Sequence, residues 1–233
     1  MTVRQLVADL YEIPLGHTSA YLWNEANNLT LVDTGVPGSS TAIAAALESL
    51  GHTKADLQHV FLTHWHVDHA GAAAELAEWE NTELHAHSLD ADVLEGKTPQ
   101  VLPGLPSEEQ ALFDSLPDEV KQDTPTVAVD DRLEGGESFE IAGILDVYHM
   151  PGHTPGSISL HLTDPNVLLV GDTVANVGPD GPSAGVFNTD PQRLRESVKA
   201  LARLWPAVLC PGHGEPITQN TADRLNALAG SLD

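Results

Sequence analysis

The chain has 233 residues and a formal net charge of -24, from 10 Lys+Arg against 34 Asp+Glu. Such an acidic chain repels phosphate backbones and anionic lipid surfaces, so neither nucleic acid nor a membrane is an expected partner. Cys210 is its one cysteine, which rules out an internal disulfide, and a 41% hydrophobic content suffices for a sizeable core without a structural metal as a staple.

In chain order, Met1 to Leu15 contains Arg4, Asp9 and Glu12 and no long apolar run, unlike a signal peptide. No later stretch approaches the ~18 apolar residues of a membrane span, so a cytoplasmic protein is expected. Val7–Ile13, Ala20–Trp23 and Leu29–Asp33 read as strands, the last ending in the turn signal Asp33-Thr34-Gly35. The Ala-rich stretch Ser39–Leu50 reads as a helix, with Ser39 or Ser40 as N-cap and Gly51 closing it. A strand at His59–Leu62, a helix at Ala70–Trp79 and a strand at Glu83–Ala86 follow. From about 88 to 125 the chain carries Pro99, Pro103, Pro106 and Pro117 and one helix near Ser107–Leu116. This stretch reads as an insertion covering one side of a single domain that spans residues 1–233. Strands are expected at Thr126–Val129, Ser138–Ile141, Ile144–His149, Ser157–Leu162, Val167–Val170 and Ala207–Cys210. Helices are expected at Pro191–Leu204 and Thr221–Ala229.

The chemistry concentrates after the strands. Thr63-His64-Trp65-His66-Val67-Asp68-His69 places four metal-binding side chains on one strand-to-helix loop. His64 and His66 can point the same way from extended backbone, where side chains alternate. Asp68 and His69 are adjacent, and need a tight turn or a helix start to share a second centre. Trp65 faces the opposite way and reads as core. Three glycine-flanked turns follow further strands: Pro151-Gly152-His153, Gly171-Asp172-Thr173 and Pro211-Gly212-His213. Imidazoles and carboxylates without thiolates suit zinc, iron, manganese or cobalt. His17, His52, His59, His85, His87 and His161 read as surface or hydrogen-bonded structural residues, and Cys210 as a small buried residue of the last strand.

The ordered set His-x-His-x-Asp-His, then His, Asp and His resembles the metallo-β-lactamase superfamily, from Asp33-Thr34-Gly35 to His213-Gly214. The resemblance implies an α/β fold, a four-layer αββα sandwich with its site at the edge between the two sheets. It implies that His64, His66 and His153 hold one metal, that Asp68, His69 and His213 hold a second, and that Asp172 bridges them. Asp33 matches a position that supports the site from behind the ligands. Two divalent ions are implied, zinc first, with iron or manganese open. Two such ions can share one water, whose pKa a catalytic zinc lowers to about 7. The expected reaction is attack of that hydroxide on a carbonyl carbon, with Asp68 relaying the proton and Asp172 holding both metals.

Within the superfamily, zinc β-lactamases lack the bridging Asp or place Cys there, so Asp172 makes antibiotic hydrolysis a side activity at best. Glyoxalase II enzymes keep all seven ligands but add a C-terminal helical region that binds glutathione. This chain ends at Asp233, 20 residues after His213, which speaks against a glutathione thioester. One kind of acyl-homoserine lactonase carries a Tyr three residues after the bridging Asp; Ala175 stands there, while lactones stay open. Flavin-linked di-iron members replace the second loop His with Glu, unlike His66, and RNA-processing members need basic surfaces. The remaining pattern resembles small stand-alone bacterial hydrolases acting on an ester, thioester or lactone. The rivals are a mononuclear iron dioxygenase of persulfides and a non-catalytic metal-binding module. The expected partner is a small-molecule substrate, and a homodimer stays open.

Overall fold

Asp9, at φ +61°, turns the chain sharply, so the first apolar stretch is a hairpin of β1 (Arg4–Val7) and β2 (Leu10–Leu15) rather than one strand over Val7–Ile13. The structure, a computed structural model, describes residues 3–25, 28–141 and 143–232. β3 (Thr18–Glu25) and β4 (Asn28–Val32) continue the antiparallel meander. β5 (Leu57–Phe61), β6 (Glu83–His87) and β7 (Asp131–Leu133) then add in parallel, giving a seven-stranded sheet in sequence order. The second sheet combines β8 (Ser138–Glu140), β9 (Ile144–His149), β10 (Ile158–Leu162), β11 (Val167–Gly171) and β14 (Val208–Pro211) in the order β14-β11-β10-β9-β8. Between β11 and β14 lies a hairpin of β12 (Val174–Gly178) and β13 (Gly181–Ala184), strands that show no apolar alternation.

The period of two sorts the side chains into layers. In β11, Val167 and Leu169 enter the core between the sheets with Leu10, Phe61, Val147 and Leu160. Their neighbours Leu168 and Val170 pack outward under α6 (Pro191–Ala202) and α7 (Thr221–Ser231). Leu22, Leu31 and Val60 of the first sheet pack under α1 (Ser40–Ser49), α3 (Ala73–Leu76) and α4 (Ser88–Leu94). The result is the expected αββα order. α6 starts on Asp190, whose carboxylate accepts from the amides of Gln192 and Arg193, with Pro191 in the first turn.

Three expectations need correction. The single helix over Ala70–Trp79 is instead α2 (Val67–Ala70) and α3. The carbonyls that would propagate it are engaged elsewhere. Thr18 Oγ1 donates to Asp68 O at 3.0 Å, Thr34 N donates to His69 O at 2.6 Å, and Ala72 N turns to Gly35 O. Residues 126–129 are extended but pair with no strand; Val127 N donates to Leu94 O at the end of α4, and the ladder begins only at Asp131. Ser39 occupies the N-cap position of α1 without a side-chain cap, while Ser40 bonds Glu75. At the other end the cap is as expected: Gly51, at φ +87°, lets Gly51 N and His52 N bond the carbonyls of Glu48 and Leu47.

Ala91, Val93 and Leu94 of α4 belong to the core, and the Pro-rich stretch continues beyond Gly96. Its helix α5 (Ser107–Ser115) buries no residue fully. It docks by Glu109, which accepts from Phe187 N at 2.8 Å, and by Phe113, edge-on to Phe187 with ring centroids 5.6 Å apart. Thr124 Oγ1 donates to Trp65 O at 2.7 Å and fastens the far end to the His-rich loop. Among the described residues no helix is long and apolar enough to cross a membrane.

Candidate metal centre

Every singled-out side chain lies beyond the carboxyl end of a strand, where loops from both sheets meet. His64 and His66 follow β5, Asp68 and His69 lie in α2, His153 follows β9, Asp172 follows β11, and His213 follows β14. Backbone hydrogen bonds join the sheets here: Ile158 N donates to Thr63 O at 2.9 Å, and Ser19 N to Gly212 O at 3.0 Å.

The seven side chains converge. His66 Nδ1 faces His153 Nε2 at 2.9 Å, and with His64 they offer three nitrogens within 4.8 Å of one another. Asp68, His69 and His213 form a second such trio, with His213 Nε2 3.3 Å from Asp68 Oδ2. Asp172 lies between the trios: Oδ1 is 3.2 Å from His69 Nε2, and Oδ2 is 3.2 Å from His213 Nε2 and 3.7 Å from His153 Nε2. His64 Nε2 is buried with no hydrogen-bond partner. An orphaned buried polar atom is costly, and a free lone pair in such a cluster fits a bound cation. Gly212 keeps the space open, because a Cβ there would fall 2.3 Å from His69 Cε1 and 2.6 Å from Asp172 Oδ1.

On every ring of the centre but His66 the second nitrogen is held from behind, which sets ring orientation. His69 Nδ1 lies 2.8 Å from Asp33 Oδ2, and Asp33 also accepts from Thr63 N and Thr63 Oγ1, each at 2.8 Å. His153 Nδ1 donates to Val186 O at 3.0 Å, and His213 Nδ1 to His17 O at 2.9 Å. His64 Nδ1 meets Thr63 Oγ1 at 3.0 Å.

Electrostatics divide the two trios. Burial, reinforced by neighbouring imidazoles, pushes His64 well below the ordinary histidine value and His66 down to about 3. Burial lowers His153 too, against the pull of Asp172. These rings are neutral, with lone pairs free to bind. In the second trio burial opposes every charge, but the charges are mutual. His213 rises to about 10, burial being outweighed by Asp172 and Asp68, and His69 is likewise held well above its ordinary value by Asp172, Asp68 and Asp33. Burial would raise Asp68, but His69 and His213 bring it down to about 2. Asp172 is also held low, by His213 and His69.

One residue of the site carried no sequence signal. Asp90, in the first turn of α4, is buried and accepts from Trp65 N at 3.1 Å, Thr154 Oγ1 at 2.7 Å and Gly156 N at 2.8 Å. Its carboxylate clamps the loop carrying His64 and His66 to the turn carrying His153. An acidic residue in a first helical turn is ordinary, so only the fold exposes this role. Trp65 packs into the first core as expected, and Cys210 is fully buried. His85 and His87 are the buried, hydrogen-bonded kind among the structural histidines expected; His87 stacks on His149 and caps α4 by accepting from Leu89 N.

Four layers with a histidine–aspartate centre at the seam between two sheets define an αββα class whose loops bring candidate metal ligands together. A family model described as the metallo-β-lactamase superfamily matches residues 13–213, and the chain belongs to that superfamily. It is 30% identical over 226 residues to a probable metallo-hydrolase, YflN, of Bacillus subtilis, covering 90% of this chain and 84% of that one. It is 25% identical to the hydroxyacylglutathione hydrolase GloC of Haemophilus influenzae, covering 90% and 91%. The subclass B3 metallo-β-lactamase BJP-1 of Bradyrhizobium japonicum shares the fold, with a TM-score of 0.74 at 24% identity over 99% of this chain and 90% of that one. The names of the relatives indicate metallo-hydrolase activity.

Proposed function

We propose that this protein is a hydrolase of small esters, thioesters or lactones that works with two divalent cations, zinc by preference. The observation that carries the reading is the pair of three-residue clusters joined through Asp172. His64, His66 and His153 would hold one cation, Asp68, His69 and His213 the other, and Asp172 both. When bound, the pair would supply a water acidified to near neutral pH and a Lewis acid for the acyl oxygen.

The chain's own residues do the rest. Asp68, its Oδ2 directed at His213 and His69, would take and return the proton as the acyl bond breaks. Asp33, Val186 and the His17 carbonyl keep the ligand rings in one orientation. Exposed Leu112 and Val186, on the two segments that meet through Phe113 and Phe187, would receive an apolar part of the substrate. The hydroxyacylglutathione hydrolase and metallo-hydrolase names among the relatives favour acyl hydrolysis over oxygen chemistry.

The test is Asp172→Ala, assayed on a panel of esters, thioesters and lactones after zinc reconstitution. Metal content should fall below two per chain and turnover should vanish. Full activity in this variant refutes the scheme. One iron per chain with oxygen uptake in the wild type would assign the protein to the oxygenases instead.

A further inference from the structure

Two histidines that the sequence consigns to structural roles lie together away from the centre. β5 and β6 are parallel neighbours whose register sets His59 beside Glu83 and Phe61 beside His85. Alternation along each strand puts His59, Phe61, Glu83 and His85 on the face turned toward the second sheet. His59 Nδ1 is 3.0 Å from His85 Nε2 and 3.8 Å from Glu83 Oε2. One donor atom from each of the three residues lies within 4.8 Å of the other two. The facing of two imidazole nitrogens matches that of His66 and His153 at 2.9 Å in the main centre.

The surroundings fit a cation better than a chance pairing. Asp131, on the next strand, reaches His85 Nδ1 at 3.3 Å. A carboxylate there holds the proton on Nδ1 and leaves the Nε2 lone pair facing His59, with a Glu83 oxygen within 4.8 Å, the usual arrangement behind a metal-binding histidine. The His85 ring is fixed by stacking on Phe61, with centroids 4.4 Å apart, and by the edge of Phe139. His59 and Glu83 open onto a groove of about 460 Å³, whose other lining residues include Glu140, Asn28 and Gln58 and no lysine or arginine. Burial lowers both histidines, so both are neutral ligands at neutral pH.

We infer that His59, Glu83 and His85 form a separate site for a borderline divalent cation such as Zn²⁺, Ni²⁺ or Cu²⁺, with its remaining positions open to the groove. Two imidazoles and one carboxylate are a donor set that such ions accept. The site joins two adjacent strands of the first sheet and shares no ligand with the centre at the strand ends.

The experiment strips the full-length protein with a chelator, titrates it with Zn²⁺ and counts bound zinc per chain after desalting. His59→Gln and Glu83→Gln should each retain one equivalent less than the wild type. Glu83 is largely exposed, so its variant keeps the fold, and near-ultraviolet circular dichroism checks both proteins. Asp131→Asn should bind the same ion about tenfold more weakly. Equal zinc content in the wild type and either variant overturns the proposal. The comparison is a difference between proteins, so it stands whatever the main centre holds.

Discussion

Asp33 Oδ2 lies 2.8 Å from His69 Nδ1, and Asp33 reaches it from a left-handed backbone, at φ +63°. That conformation is unfavourable for a residue with a Cβ, though Asp tolerates it better than most. The strain is maintained because the same carboxylate also receives Thr63 N and Thr63 Oγ1. Asp33→Asn keeps the shape and the turn but loses the charge that orients His69. Zinc affinity, measured against a competing chelator, should fall ~10–100-fold with the circular dichroism spectrum unchanged. Unchanged affinity would reduce Asp33 to a turn residue.

The charge pattern of the second trio sets a pH dependence. In the metal-free protein His213 is raised from 6.5 to about 10. A raised value means that its stabilisation is complete below pH ~6.5 and is lost as pH rises through about 10. Asp68, lowered to about 2, contributes stability above pH ~4 that is lost only as pH falls through its folded value. The Tm of the stripped protein should therefore decline from pH 7 toward 10, and His213→Gln should remove part of that decline, the raised His69 supplying the rest. Zinc must displace the protons held here, so apparent affinity should rise about tenfold per pH unit for each proton displaced. Proton release on zinc addition in weak buffer measures the number directly.

Asp90 offers a different test. An amide at this position would turn one N–H group toward a donor, Trp65 N or Gly156 N, leaving a buried clash in place of a hydrogen bond. Asp90→Asn should cost about 1–3 kcal/mol in denaturant unfolding. It should also loosen the His64–His66–His153 trio, so that, if the proposed pair of zinc ions is bound, one of the two equivalents exchanges faster. A variant that is destabilised while both equivalents exchange at the wild-type rate would make Asp90 purely structural.

The covering segment should act on substrate and not on metal. Phe113→Ala removes the edge-on contact with Phe187 and leaves α5 held to the segment whose Val186 carbonyl bonds His153 only through Glu109 and Phe187 N, which loosens it. Zinc content should stay at the wild-type level while KM rises several-fold on the best substrate of the panel. A loss of metal instead would show that the cover supports His153 directly.

Much of the site was legible because its chemistry is local in sequence. His64, His66, Asp68 and His69 share one loop, and His153, Asp172 and His213 each stand in a glycine-flanked turn after an apolar run. The layers were legible where an apolar run is unbroken, as in β11, whose Val167–Val170 stretch is buried on both faces. What escaped notice depends on partners distant in the chain. No local pattern shows that Thr18 and Thr34 consume the carbonyls of Asp68 and His69 and so split a helix. Asp90 resembles any acidic first-turn residue until Trp65, Thr154 and Gly156 arrive around it. β12 and β13, glycine-rich and half-exposed, lack the apolar rhythm that marks a strand.

The hydrogen bonds from Ser19 to Gly212 and from Ile158 to Thr63 place the cluster on the line along which the two halves of the sandwich would slide past one another. His64, His66, Asp68 and His69 ride on one half; His153, Asp172 and His213 ride on the other. Ions gripped by both groups would therefore act as rivets, and thermal shear between the halves would have to eject them first. Catalytic competence and resistance to heat would then fail together, at the temperature where the seam opens.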